Sequence, residues 1–284
     1  MMVSMGMLWS QSESRACGQG NGRGRGMNRK FLWEDIRRSF ANQGFLAGIF
    51  GLGALLAYNF VTESLHSGSP YYAIVNILAA SGFVVFLPVF PVLGYAPRFC
   101  SEYESGYYRL ILARMKTREY ARVRITSVAL SGGAIVAIPY LLVCLAAVIL
   151  QAPELENVNS LGLDASGVNL LRVPEDLEMV VIGQTYGIGV MVAVKVLLGF
   201  LFGAAWALVG LAFAVWMPNK YVSLIAPFVL YESLYILMPN KLNPALLVRG
   251  DDTGHLASAG MECVWLLAAA AAVMAGFRRR CGDG

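Results

Sequence analysis

Six stretches of the chain run almost unbroken in apolar residues: Phe45–Val61, Tyr71–Tyr95, Ile125–Leu150, Tyr186–Trp216, Tyr221–Met238 and Ala257–Phe277. A hydrocarbon layer about 30 Å thick is crossed by about 20 helical residues, so each stretch is predicted to span a membrane. The runs are continuous instead of alternating, and a backbone in lipid must satisfy its own hydrogen bonds, which favours helices over barrel strands. The fourth is too long for an upright crossing and is expected to tilt or to begin outside the hydrocarbon. Pro88 and Pro91 in the second and Pro139 in the third remove backbone bonds and are expected to kink their helices. Ahead of the first span, Lys30–Gly44 sets Phe31, Leu32, Ile36 and Phe40 at near-helical spacing among Glu34, Asp35, Arg37 and Arg38. That pattern predicts an amphipathic helix lying along the membrane surface. The predicted fold is all-α: six transmembrane helices with an N-terminal interfacial helix, forming one membrane domain over residues 30–280.

Composition agrees with this pattern. Of 284 residues, 57% are hydrophobic and 14% charged, against roughly 45–50% and about 25% in soluble domains. The net charge of +4 would admit a nucleic-acid partner, but the basic residues follow a topological rule instead. Seven precede the first span (Arg15, Arg23, Arg25, Arg29, Lys30, Arg37, Arg38) and seven lie between the second and third (Arg98, Arg109, Arg114, Lys116, Arg118, Arg122, Arg124). Lys220 and Arg278–Arg280 raise that side to eighteen, while Arg172, Lys241 and Arg249 are the three on the other. The asymmetry predicts a multi-pass protein of the cell membrane with both termini cytoplasmic, and basic loops facing anionic lipid instead of nucleic acid. Trp33, Tyr71, Tyr72, Tyr95, Tyr186, Trp216 and Tyr221, at predicted span ends, suit the membrane–water interface.

The ends of the chain read differently. Residues 1–29 form a basic, glycine-rich segment expected to be a flexible extension, with Met27 as a possible initiator, and 281–284 a cytoplasmic tail. No cleavable signal peptide is evident, because the first long apolar run starts only at Phe45.

Catalytic chemistry finds little to stand on. The two histidines, His66 and His255, fall in predicted external loops, and no pair of aspartates lies within a span. The cysteines (Cys17, Cys100, Cys144, Cys263, Cys281) lack C-x-x-C or zinc spacing, and no Walker-type phosphate loop occurs. The chain is expected to be no enzyme and to carry no cofactor, metal or catalytic residue. Lys195, Glu232 and Glu262 are ionisable residues inside spans, each costing about 2.5–3.5 kcal/mol or more if centrally exposed to lipid. They are predicted in the outer half, where Lys195 either pairs with Glu232 or snorkels to the headgroups. Gly44/Gly48 and Gly199/Gly203 space small residues four apart, which allows close helix contact or is merely tolerated glycine. The link Gln151–Thr185 holds six acids against one base and reads as an acidic solvated loop, and Pro244–Val248 as a short re-entrant or surface element.

The link between the second and third spans carries the most information. It contains Phe99, Glu102 and Gly106, then Thr117-Arg118-Glu119-Tyr120 and Arg124, with Glu102 and Gly106 spaced for one helix face. This run resembles the first cytoplasmic loop of type-2 ABC export permeases, F-x-x-E-x-x-x-G-x-x-x-x-L followed by S-R-x-E-Y-x-x-x-K. Arg118, Glu119, Tyr120 and Arg124 approximate the second part, with Thr117 near the usual serine, Met115 where proline is common, and Arg124 replacing the lysine. The resemblance covers about residues 30–280. It implies a permease subunit whose loop residues Phe99, Glu102, Gly106, Arg118, Glu119, Tyr120 and Arg124 contact a separate cytoplasmic ABC ATPase. It also implies a second permease subunit, alike or different, and export of a hydrophobic or amphipathic substrate. The alternatives are an ATP-independent membrane carrier or a membrane scaffold.

Overall fold

The structure, a computed structural model, describes residues 29–64, 70–79, 85–112, 115–150, 178–249 and 254–281. The glycine-rich N-terminal segment, most of the acidic link and residues 250–253 lie outside them. Every regular element among the described residues is helical. They are α1 (Arg29–Phe40), α2 (Gln43–Asn59, continued as a wider turn over Phe60–Ser64), α3 (Pro70–Ala79), α4 (Val89–Leu93), α5 (Ala96–Glu104) and α6 (Tyr107–Leu112). There follow α7 (Thr117–Leu150), α8 (Glu178–Tyr186), α9 (Ile188–Trp216), α10 (Lys220–Leu237), α11 (Pro244–Leu247) and α12 (His255–Cys281).

Five helical stretches are long and apolar enough to cross a membrane: Gln43–Thr62, Thr117–Leu150, Ile188–Trp216, Lys220–Leu237 and His255–Arg280. The predicted second span is not one helix. Its sequence is divided between α3 and α4, with 80–84 outside the described residues, and α4 gives way to α5 at Gly94–Tyr95. Pro88 and Pro91 account for the short segment, since each lacks an N–H for the helical ladder. The fourth predicted span is one helix, α9, which starts at Ile188 because Gly187 adopts φ +93° and ends α8, whereas the end of the link predicted to be a solvated loop is helical as α8. Pro139 and Pro227, by contrast, sit within continuous α7 and α10.

The centre of the bundle is the α7–α9 seam, where small residues bring two backbones together. A Cβ on Gly203 would stand 2.5 Å from the Gly132 carbonyl oxygen, and one on Gly44 would strike the Leu93 carbonyl. Gly48 faces Ile135 at 3.0 Å, whereas Gly199 meets only an ordinary contact with Val136 at 3.4 Å. Three of the four spaced glycines therefore mark close packing within the chain. Two apolar cores flank the seam, one around Leu56, Ile74, Val136, Tyr140, Phe202 and Tyr231, the other around Phe99, Tyr120, Leu211, Val273 and Phe277.

The second core closes an end of the bundle that is ringed by exposed Arg37, Arg38, Arg118, Arg122, Lys220, Arg278 and Arg279. This basic end holds both the first and the last described helices, because Asp35 of α1 and Phe277 of α12 pack on the start of α7. At the opposite end Tyr71 packs against Gly183. Of the aromatics expected at an interface, Trp33, Tyr186, Trp216 and Tyr221 are exposed, but Tyr71 and Tyr95 are buried in the cores.

Candidate functional site

At the basic end, Pro97 opens α5 in the first turn, where its missing N–H has no partner to lose. Arg98 and Glu102 pair one turn apart at 3.1 Å. The helix stops at Glu104, and Gly106 turns the chain at φ +72° into α6. Gly106 therefore lies beyond the end of the helix that carries Glu102, and the expectation that both share one helix face is corrected: the left-handed turn redirects the chain between them. Tyr103 and Tyr108 stack across this turn at 4.7 Å.

The side chain that holds the hairpin in place is Arg124, 1% exposed on α7. Its guanidinium donates to Asp35 Oδ1 of α1 at 2.7 Å, to Glu102 Oε2 of α5 at 2.5 Å and to the Tyr95 hydroxyl. Tyr95 in turn donates to Asp35 Oδ2 at 3.5 Å. The cation also lies 5.0 Å from the centre of the Tyr120 ring and 5.6 Å from that of Tyr95. A planar fork with five donors can serve two carboxylates and a phenol at once while stacking on aromatic faces, which a lysine ammonium cannot do. Arginine at this position is thus matched to its surroundings. Removing one partner of such a buried pair costs about 3–5 kcal/mol, because the remaining charge is stranded.

Further contacts fasten the same hairpin. Arg98 donates to the Arg38 carbonyl of α1 at 2.6 Å, and Arg38 to the Tyr107 hydroxyl of α6 at 3.5 Å. Glu104 pairs with Lys220 of α10 at 2.9 Å, and Cys100 Sγ lies 3.6 Å from Ser223 Oγ. Burial pushes the Cys100 thiol above its ordinary pKa, against the opposing hydrogen bond to Ser223. Arg280 of α12 covers the Tyr103 ring at 4.7 Å, and Phe99 meets Phe277 edge-on.

The predicted loop residues thus divide. Phe99, Tyr120 and Arg124 are buried against this chain's own helices, Glu102 is engaged by Arg98 and Arg124, Glu119 is half-buried, and Arg118 is exposed. Gly106 has open space: a Cβ there would meet nothing within 4 Å. Leu110 on α6 is 66% exposed, with Tyr107 beside it. Sequence reasoning missed Asp35 and Tyr95 as partners of Arg124. The signal available was the pair of acids, Glu34 and Asp35, set among the basic residues of α1.

Among the intramembrane residues, Lys195 is buried and donates to the main-chain carbonyl of Arg249, just past α11. Pro244, Ala245, Leu247 and Val248 are buried too, with Asn243 capping α11 through the Ala245 N–H and donating to the Tyr235 carbonyl. Glu232 Oε1 and both carboxylate oxygens of Glu262 are buried without a hydrogen-bond partner. No protein family, curated protein or solved structure matches the chain.

Proposed function

We propose that this chain is the membrane-embedded permease subunit of an exporter driven by a separate cytoplasmic ATPase, of the type-2 ABC kind that residues 99–124 resemble. The observation that carries the reading is the α5–Gly106–α6 hairpin. It is anchored to α1 and α7 through Arg124, to α10 through Lys220 and to α12 through Arg280, yet it presents exposed Leu110 and Tyr107. A short helix seated in a cleft of an ATPase and tied this firmly to several helices would pass closure of that cleft on as rigid-body movement. Phe99, Tyr120 and Arg124 then act by positioning the hairpin, and Gly106, Tyr107 and Leu110 meet the partner.

Six crossings and cytoplasmic termini belong to the same proposal. The chain leaves the basic end in α2, is beside Gly183 at the opposite end by Tyr71, and has returned to the basic end by Glu102. A sixth crossing between Tyr71 and Glu102 would supply that return beside the five continuous helices. Because both α1 and the end of α12 lie at the basic end, an even number is required. The excess of lysine and arginine there supports a cytoplasmic position for that end, where exposed Trp33, Lys30, Arg37 and Arg38 of α1 would contact anionic lipid. A second permease subunit would complete the translocation route.

The test uses the full chain with its ATPase in membranes. Leu110→Cys should form a cross-link to the ATPase, and Gly106→Val should weaken docking and uncouple hydrolysis from transport. Absence of any cross-link, together with unchanged co-purification and transport in Gly106→Val, would refute the reading.

A further inference from the structure

One face of α12 carries a buried stripe, Ser258, Glu262, Ala269, Val273 and Phe277, which runs from the end remote from Arg124 down to the basic end. The basic-end part of the stripe faces α9: Trp216 Nε1 donates to the Ala272 carbonyl at 3.1 Å, and Gly276 lies against Val215. Small and apolar side chains suit such a seam, and Glu262 does not. It is fully buried, seven residues into α12, or roughly 10 Å by the helical rise. We propose that Glu262 is an exchangeable proton-binding site.

The groups around it define the choice. α9 contributes Lys195, whose ammonium donates to the Arg249 carbonyl. α10 contributes Tyr231, Glu232 and Tyr235, with Tyr231 within electrostatic reach of Glu232, Glu262 and Arg249. α12 itself carries His255 and Ser258. None of them hydrogen-bonds either oxygen of Glu262. A carboxylate ion without donors in an apolar seam is unsupported, and a proton is the ligand that removes its charge without demanding space or further ligands. A divalent cation would need several oxygen ligands, and no cluster of three candidate metal ligands occurs among the described residues. Glu232 Oε1 is likewise buried without a partner, and both acids lie within electrostatic reach of Tyr231. Ser258 and His255, four and seven residues before Glu262 on the same helix face, lead from it to the start of α12. The proposal is independent of the ATPase reading, since it concerns one chain and needs no partner.

The probe is dicyclohexylcarbodiimide, applied to the full chain in lipid nanodiscs. It reacts with a protonated carboxyl in apolar surroundings. The acid proton passes to a carbodiimide nitrogen, the carboxyl oxygen adds to the central carbon, and acyl migration leaves a stable N-acylurea with nothing oxidised or reduced. Mass spectrometry should place the adduct on Glu262, with the yield falling at least several-fold as pH is raised from acid to alkaline. The infrared band of a protonated carboxyl should decline over the same range and be missing from Glu262→Gln, a neutral variant chosen to retain the fold. No adduct at Glu262, or an adduct and band indifferent to pH, would overturn the proposal.

Discussion

The basic end and the opposite half of the bundle treat buried charge in contrary ways. Around Arg124, cation and anions meet: Asp35, Glu102 and Tyr95 converge on one guanidinium and draw three helices together. Around Tyr231, both carboxylate oxygens of buried Glu262 and one of partly buried Glu232 are reached by no donor. Both lie within a tightly packed helical bundle, so the difference is one of chemistry. A compensated cluster resists change and suits a mount for a partner. An uncompensated acid gains from whatever neutralises it, and suits a site whose occupancy changes.

Substitutions that separate the two regions follow, in order of expected effect. Arg124→Met strands Asp35 and Glu102 and should lower stability by about 3–5 kcal/mol, read as a fall in the thermal midpoint of the detergent-solubilised protein. Arg124→Lys should recover only part of it, and an unchanged midpoint in either variant would show the network to be dispensable. The sharper comparison is one substitution made twice. Glu102→Gln loses charge-assisted bonds and should cost about 1.5–3 kcal/mol, while Glu262→Gln, already without donors, should leave the midpoint where it was. Equal losses at the two positions would erase the distinction. Gly106→Val forces a side chain into the left-handed region at a local cost of about 1–2 kcal/mol, but its Cβ has open space. It should weaken ATPase binding more than the thermal midpoint, with Gly106→Asn milder on both measures. Lys220→Ala removes an exposed partner of Glu104 and should leave the midpoint unchanged at physiological salt.

How much of this was legible in the sequence depends on how local the determinant is. Apolar runs mark the five continuous spans because length and composition alone decide them. Hydropathy is blind to the break between α4 and α5 and to the turn at Gly187, since an apolar residue reads alike on either side of an unwound turn. Pro88 and Pro91 signalled trouble in the second span, but suggested a kink instead of separate pieces. Arg124 stood out through the loop pattern, yet its partner Asp35 lies 89 residues earlier, on a helix whose spacing suggested an apolar face turned to the membrane. The buried face of α1 instead carries Asp35 and Ser39, and Trp33 is exposed. Lys195 illustrates the remaining limit: its acceptor is a main-chain carbonyl, which no pattern of side chains encodes.

The account's central claim is that the hairpin around Gly106 is the seat of an energy-supplying ATPase. Its most direct measurement is nucleotide-driven export by the full complex in proteoliposomes, comparing wild type with Gly106→Val at matched thermal stability. The account predicts that wild-type transport requires the ATPase and that the variant loses transport while keeping its fold. Wild-type transport at the same rate with the ATPase omitted would contradict it.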